Sequence, residues 1–250
     1  MSRFRALLGP FIFILLWWIV GEAKHINPLY LSSRPDVLHA SNALLSTNSL
    51  LDIWATFYRT VLGFCLATLL GIPLGMLLGS YKPLYEALEM VVDFFRSLPS
   101  PAILPLCLLI FGLGDSSKIA LTTFVAFWII LINTIHGVWN VPVAHVHVGR
   151  VFKATKYQIL KYITFYDALP TIFIGLRTAL SLSLIIVIVA EMSIGSKNGL
   201  GQKILDSYNT YRIPHLYLFI CLVGMMGFSL NKLFLFMETL LMPWRKTRWL

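Results

Sequence analysis

The sequence predicts an all-α fold, a polytopic transmembrane bundle of about six helices, and three observations lead to it. Of the 250 residues, 58% are hydrophobic and only 12% charged, which leaves too little polar surface for a water-soluble domain of this length. The apolar residues gather into runs close to the roughly 20 residues that carry a helix across a bilayer. The basic residues flank those runs and form no stripe, so the net charge of +9 speaks for membrane topology and against a nucleic-acid surface. No low-complexity stretch or linker divides the chain, and residues 1–250 are expected to form one transmembrane domain surrounded by lipid.

In chain order the candidate span cores are 7–20, 55–78, 102–113, 119–135, 172–190 and 216–235. The first follows Arg3 and Arg5 as a signal peptide would, but Trp17 and Trp18 suit a membrane interface better than the approach to a cleavage site, so it is expected to stay. Pro99, Pro101 and Pro105 interrupt the third, which is expected to begin near Val91 as a broken or tilted helix; five spans remain the alternative to six.

With the N-terminus inside, the inner loops 1–6, 80–97, 137–170 and 242–250 hold most of the basic residues, and both termini are expected on the inner side. Arg59, Arg177 and Lys232 fall within or at the ends of spans, where charge is costly. Arg59 and Arg177 are expected to snorkel to headgroups, and Lys232 has no local partner. Glu191 closes the fifth span as a boundary residue. Arg59 and Glu191 are the weak candidates for a solute pathway.

Gly71, Gly75 and Gly79 recur every fourth residue of the second span and predict a close helix–helix seam, within the chain or between copies. Cys65, Cys107 and Cys221 lie in apolar runs with no disulfide or metal spacing. His145 and His147 point to different helix faces and lack a carboxylate or thiolate partner, so no metal is expected. No G-x-x-x-x-G-K-[ST] loop is present, so the chain is expected to bind no cofactor and to be no enzyme.

The loop at 137–170 carries GRVFKATKYQILKYITFY, in which basic and aromatic residues alternate with amphipathic helical character. Two readings stand: a helix docked on a partner, or an interfacial helix on anionic headgroups.

Residues 52–121, DIWATFYRTVLGFCLATLLGIPLGMLLGSYKPLYEALEMVVDFFRSLPSPAILPLCLLIFGLGDSSKIAL, followed by INTIHGVWNVP, ALPTIFIGLRTAL, VIVAEM and NGLGQKI, resemble the permeases of binding-protein-dependent ABC importers of the nitrate/sulfonate/taurine subgroup. The resemblance covers about residues 51–205 in order and spacing. It implies a type I importer fold and a homodimer of permeases. It also implies a cytoplasmic ABC ATPase dimer that binds ATP and Mg, a periplasmic or extracellular solute-binding protein, and a place in the bacterial cytoplasmic membrane. Nitrate, sulfonate, taurine or a similar organic anion would be the solute.

In that family a cytoplasmic helix with the pattern E-A-A-x-x-x-G-x9-I-x-L-P sits in a groove of the ATPase. The pattern falls on His147, Val148, Gly149, Lys153, Ile163, Phe165 and Tyr166, and only Ile163 matches. Arg150, Ala154 and Thr155 fit the subgroup's usual run, and Ala168-Leu169-Pro170 follows at the family spacing. The resemblance therefore implies an ATPase-coupling helix over His147, Gly149, Arg150, Val151, Phe152, Lys153, Ala154 and Thr155, matched to a divergent ATPase. An ion-coupled secondary transporter and a membrane scaffold without transport are the rival readings; the first would want intramembrane carboxylates and matched broken spans in two halves.

Overall fold

The computed structural model describes residues 49–243, and every regular element in that stretch is a helix. The expected span at 7–20 and both chain ends lie outside the described residues. Helix α1, Ser49–Ser80, runs 32 residues with Pro73 inside it. Helix α2, Lys82–Ser97, starts with a proline in its first turn and buries only Val92. It stops where Leu98 takes the extended conformation (φ −69°, ψ 126°) demanded by the following Pro99. Helix α3, Ser100–Phe111, ends on Gly112 at φ 74°. The α2–α3 pair bends by 95°, which is the break that the three prolines predict for the third span.

Helix α4 is Asp115–Trp139. Short helix α5, Val143–Val151, follows Pro142. Helix α6, Lys156–Ile159, a π-helical turn Leu160–Thr164, and α7, Phe165–Ile194, form one continuous rod, Lys156–Ile194, of 39 residues. Helices α8, Leu200–Asn209, and α9, Ile213–Leu241, complete the described chain. Among the described residues four helices are long and apolar enough to cross a membrane, and the bent α2–α3 pair makes a fifth if it counts as one span. The fifth span's helix begins sixteen residues before the 172 read from hydropathy, because the amphipathic stretch ahead of it is helical too.

Helices α1, α4 and α7 pack on one another as the core. Lipid offers no hydrophobic gain for helix association, so close approach must come from small residues. A Cβ at Gly75 would lie 2.6 Å from Thr134 Cβ and 2.9 Å from the Leu131 carbonyl; Gly71 meets Ile130, Gly79 meets Val138, and Gly63 meets Thr122 in the same way. The partners advance in step with the glycines, so α1 and α4 run parallel, and the seam lies within one chain. Thr122 and Thr134 donate their hydroxyls to the carbonyls of Lys118 and Ile130. They therefore turn methyls to the seam and strand no polar group. Leu69, Leu109 and Met90 face outward, as lipid-facing side chains do.

Gly75→Ala should overpack this seam at a cost of about 1–3 kcal/mol and lower the thermal midpoint of the detergent-solubilised protein by several degrees. Gly224→Ala, where a Cβ meets nothing within 4 Å, should leave it unchanged.

Candidate functional site

Two polar constellations sit at opposite ends of the bundle, and a third lies between them. At one end the chain leaves α4 and forms the loop that carries α5. Of the nine residues of α5 only Gly149 is buried. A Cβ there would press on the end of Ile163 and touch Ile159, so Gly149 seats α5 on the α6–π segment. His145 Nδ1 meets Asp167 Oδ2 at 2.6 Å and ties the start of α5 to the base of α7. The carboxylate partner that the sequence withheld from His145 is thus supplied by the next helix.

Apart from half-buried Val146 and the engaged His145, the remaining side chains of this helix point outward. Val148, Val151 and Phe152 are 54%, 79% and 80% exposed, and His147 and Arg150 are exposed as well. The single amphipathic helix expected across residues 149–166 is instead broken. Lys153 takes a left-handed φ of 56°, Ala154 N–H donates to the Gly149 carbonyl at 3.0 Å, and Thr155 restarts the chain with a reciprocal capping box to Gln158. Left-handed backbone favours glycine, and Lys153 is the position where the family pattern places one.

At the opposite end a buried carboxylate organises four helices. Glu191, at the last turn of α7, is fully buried. Its carboxylate receives Arg59 Nη1, the Thr56 hydroxyl at 3.0 Å and the Gly201 N–H at 2.8 Å. Arg59 also donates Nε to Asp115 Oδ1 at 2.9 Å and Nη1 to the Asn198 carbonyl at 2.9 Å. Asp52 accepts from the Gly199 N–H at 2.9 Å, and Lys118 caps the Gly195 carbonyl at 3.0 Å. Gly199, at φ 150°, leaves space that any Cβ would take from the Glu191 carboxyl. The N-terminus of α8 therefore folds directly over the charge, where its dipole and free N–H groups stabilise an anion.

Arg59 does not snorkel. It is 4% exposed and wholly engaged inside the chain, because a full set of acceptors is available there. Glu191 stands at a span end, as read, yet it acts as the centre of a clasp over α1, α4, α7 and α8. Both side chains are buried among these helices.

Between the two ends, Arg177 on α7 donates Nε to Asn231 Oδ1 on α9 at 2.8 Å and remains exposed. Its bond runs across to α9 and leaves the other guanidinium nitrogens on the exposed face. Lys232 is exposed with its ammonium 5.5 Å from the Phe228 ring centroid, the partner that hydropathy alone did not reveal. Residue spacing could not join Arg59 to Glu191, which lie 132 positions apart. The cue lay in Gly199 and Gly201, two glycines soon after an isolated span-end acid.

Comparison with known proteins agrees with this architecture. Residues 71–247 match the family described as binding-protein-dependent transport system inner membrane component. The nitrate import permease protein NrtB of Synechocystis sp. is 37% identical over 193 residues, 77% of this chain and 70% of its own. NrtB of Synechococcus elongatus is 32% identical over 244 residues, 93% of this chain and 87% of its own. Among solved structures, the MetNI methionine ABC transporter in an inward facing conformation matches with a TM-score of 0.61 at 22% identity, over 73% of this chain and 93% of the other.

Two outcomes check these assignments. Lys153→Gly should relieve about 1 kcal/mol of left-handed strain and raise the thermal midpoint. Glu191→Gln, which leaves buried Arg59 with half-exposed Asp115 as its remaining carboxylate partner, should cost about 1–3 kcal/mol. The double change Arg59→Met with Glu191→Met should cost less than that single one, since Asp115 is half exposed and water can replace its partner.

Proposed function

This chain belongs to the family of binding-protein-dependent transport system inner membrane components and is the permease subunit of an ABC importer; we propose that α5 is the contact through which a separate ATPase drives it. The observation that carries this reading is the exposure of Val148, Val151 and Phe152 on a helix anchored through a single buried glycine. An apolar side chain 80% exposed beside Arg150 and Lys153 suits the centre of a protein interface better than open water. The family pattern coincides with the same segment, and the left-handed residue falls on its glycine position.

Two copies of this chain would form the pathway, since type I permeases pair, and a solute-binding protein would deliver the solute on the Glu191 side. The basic residues of the loop, Arg150, Lys153, Lys156 and Lys161, support a cytoplasmic position for it, and with it for both chain ends, by the positive-inside rule. ATP and magnesium would be held by the partner, because this sequence carries no phosphate-cradling loop. The NrtB relatives are nitrate import permeases, which supports a small anion as the solute, nitrate being the first to test. The membrane would be a bacterial cytoplasmic membrane.

Mechanically, ATPase closure would move α5, and α5 moves α7 through Gly149 on Ile163 and through His145 on Asp167. This is a two-state element biased from one end. Phe152→Glu should abolish ATPase co-purification with the tagged chain in mild detergent, or leave it bound with uptake reduced at least tenfold. A chain that purifies alone whatever the detergent, without ATPase activity, would defeat this reading.

A further inference from the structure

Midway along α7 the outward face changes character. Ile174, Arg177, Thr178, Ser181 and Ile185 follow at helical spacing and are all exposed, with two apolar residues bracketing three polar ones. Arg177 lies about 21 Å along the axis from Glu191 and about 18 Å from the start of α7 at Phe165, at 1.5 Å per residue. A hydrocarbon layer about 30 Å thick centred on α7 would enclose that position. Charge exposed to lipid there is expensive, and such residues face a water-filled path or a partner.

The surroundings are poor in counter-charge. Arg177 keeps one contact, Nε to Asn231, and forms no ion pair among the described residues. Thr178 and Ser181 donate their hydroxyls to the Ile174 and Arg177 carbonyls, so neither draws on the guanidinium. Lys232 adds a second exposed cation beside Asn231. The acids of the four long helices are Asp52, Asp115, Asp167, Glu191 and Glu238, and each lies within about a turn of the end of α1, α4, α7 or α9. A second copy of the chain brings the same distribution, so these helices present no carboxylate at this level.

We propose that Arg177, braced by Asn231, is the anion-selecting position of the translocation pathway, its free guanidinium nitrogens meeting the passing anion while Thr178 and Ser181 keep that face wet. The inference rests on the permease pathway described above and deepens it by assigning the residue that sets charge preference. Asn231 fixes Nε and aims the planar fork outward, the geometry suited to a small oxyanion.

The test uses the chain co-purified with its partner subunits and placed in lipid vesicles, in a background with Cys65, Cys107 and Cys221 replaced by alanine. Ser181→Cys puts a thiol one turn from Arg177. Its rates with the anionic sulfonatoethyl and cationic trimethylammonioethyl methanethiosulfonates are compared, each divided by the rate with free cysteine. A preference of about tenfold for the anionic reagent is expected, the scale of one unit charge within about 8 Å in a medium between water and protein. It should vanish in Arg177→Gln and persist in Arg177→Lys. If Arg177→Gln fails to assemble, about 1 M salt should erase the preference by screening. No labelling by either reagent would make this a lipid or copy contact and overturn the proposal. So would equal labelling, or a preference that survives both Arg177→Gln and salt. Failure of nitrate uptake with the preference intact would sink the nitrate reading alone.

Discussion

The approach of α1 to α4 is the constraint on which the remaining geometry depends. In lipid, two helices hold together only where their surfaces interlock, and here Gly63, Gly71, Gly75 and Gly79 remove the side chains that would keep them apart. Because the partners advance at one register, the two helices act as a single parallel plate. Helix α7 lies against it through Gly175 beside Asn133 and Gly137 beside Ala168. The positions of Arg59, Glu191 and Arg177 follow from that plate, since each stands on a helix whose rotation the seam determines.

The two ends of the bundle are built on opposite principles. At the Glu191 end Arg59, Thr56 and the Gly201 N–H all converge on a fully buried carboxylate, so that end resists rearrangement: opening it would bare a carboxylate and a guanidinium together. At the α5 end one glycine, one histidine–aspartate contact and a capping box hold a helix whose apolar side chains face outward. A subunit that receives force at one end and faces a solute carrier at the other is served by this asymmetry, yielding where it is pushed and fixed where it must keep its shape.

Much of this was legible in the sequence. The span cores from the second onward, the proline break in the third span and the every-fourth-residue glycines are local patterns, and local patterns survive translation into structure. The order of motifs identified the family. What escaped was non-local or conformational. Hydropathy marked Arg59 as a charge in a span and assigned it to headgroups, because it has no means of seeing that Asp115, Glu191 and Asn198 converge on it. The amphipathic reading of residues 149–166 was right about periodicity and wrong about continuity. Lys153 is an ordinary helix former by composition, and only the packing of Gly149 on Ile163 forces the reversal at that point.

The rod Lys156–Ile194 carries a consequence for leverage. At 39 residues it is about 58 Å long, longer than a bilayer is thick, and it runs without a break from the foot of α5 to Glu191. If it pivots near one end, a tilt of about 5° sweeps the other by about 5 Å. The π-helical turn at Leu160–Thr164 lies at the foot of that lever, just where α5 leans on it, and an irregular turn is the natural fulcrum of an otherwise stiff bar. On the proposed coupling through α5, a small stroke at the base would become a wider one at the Glu191 end.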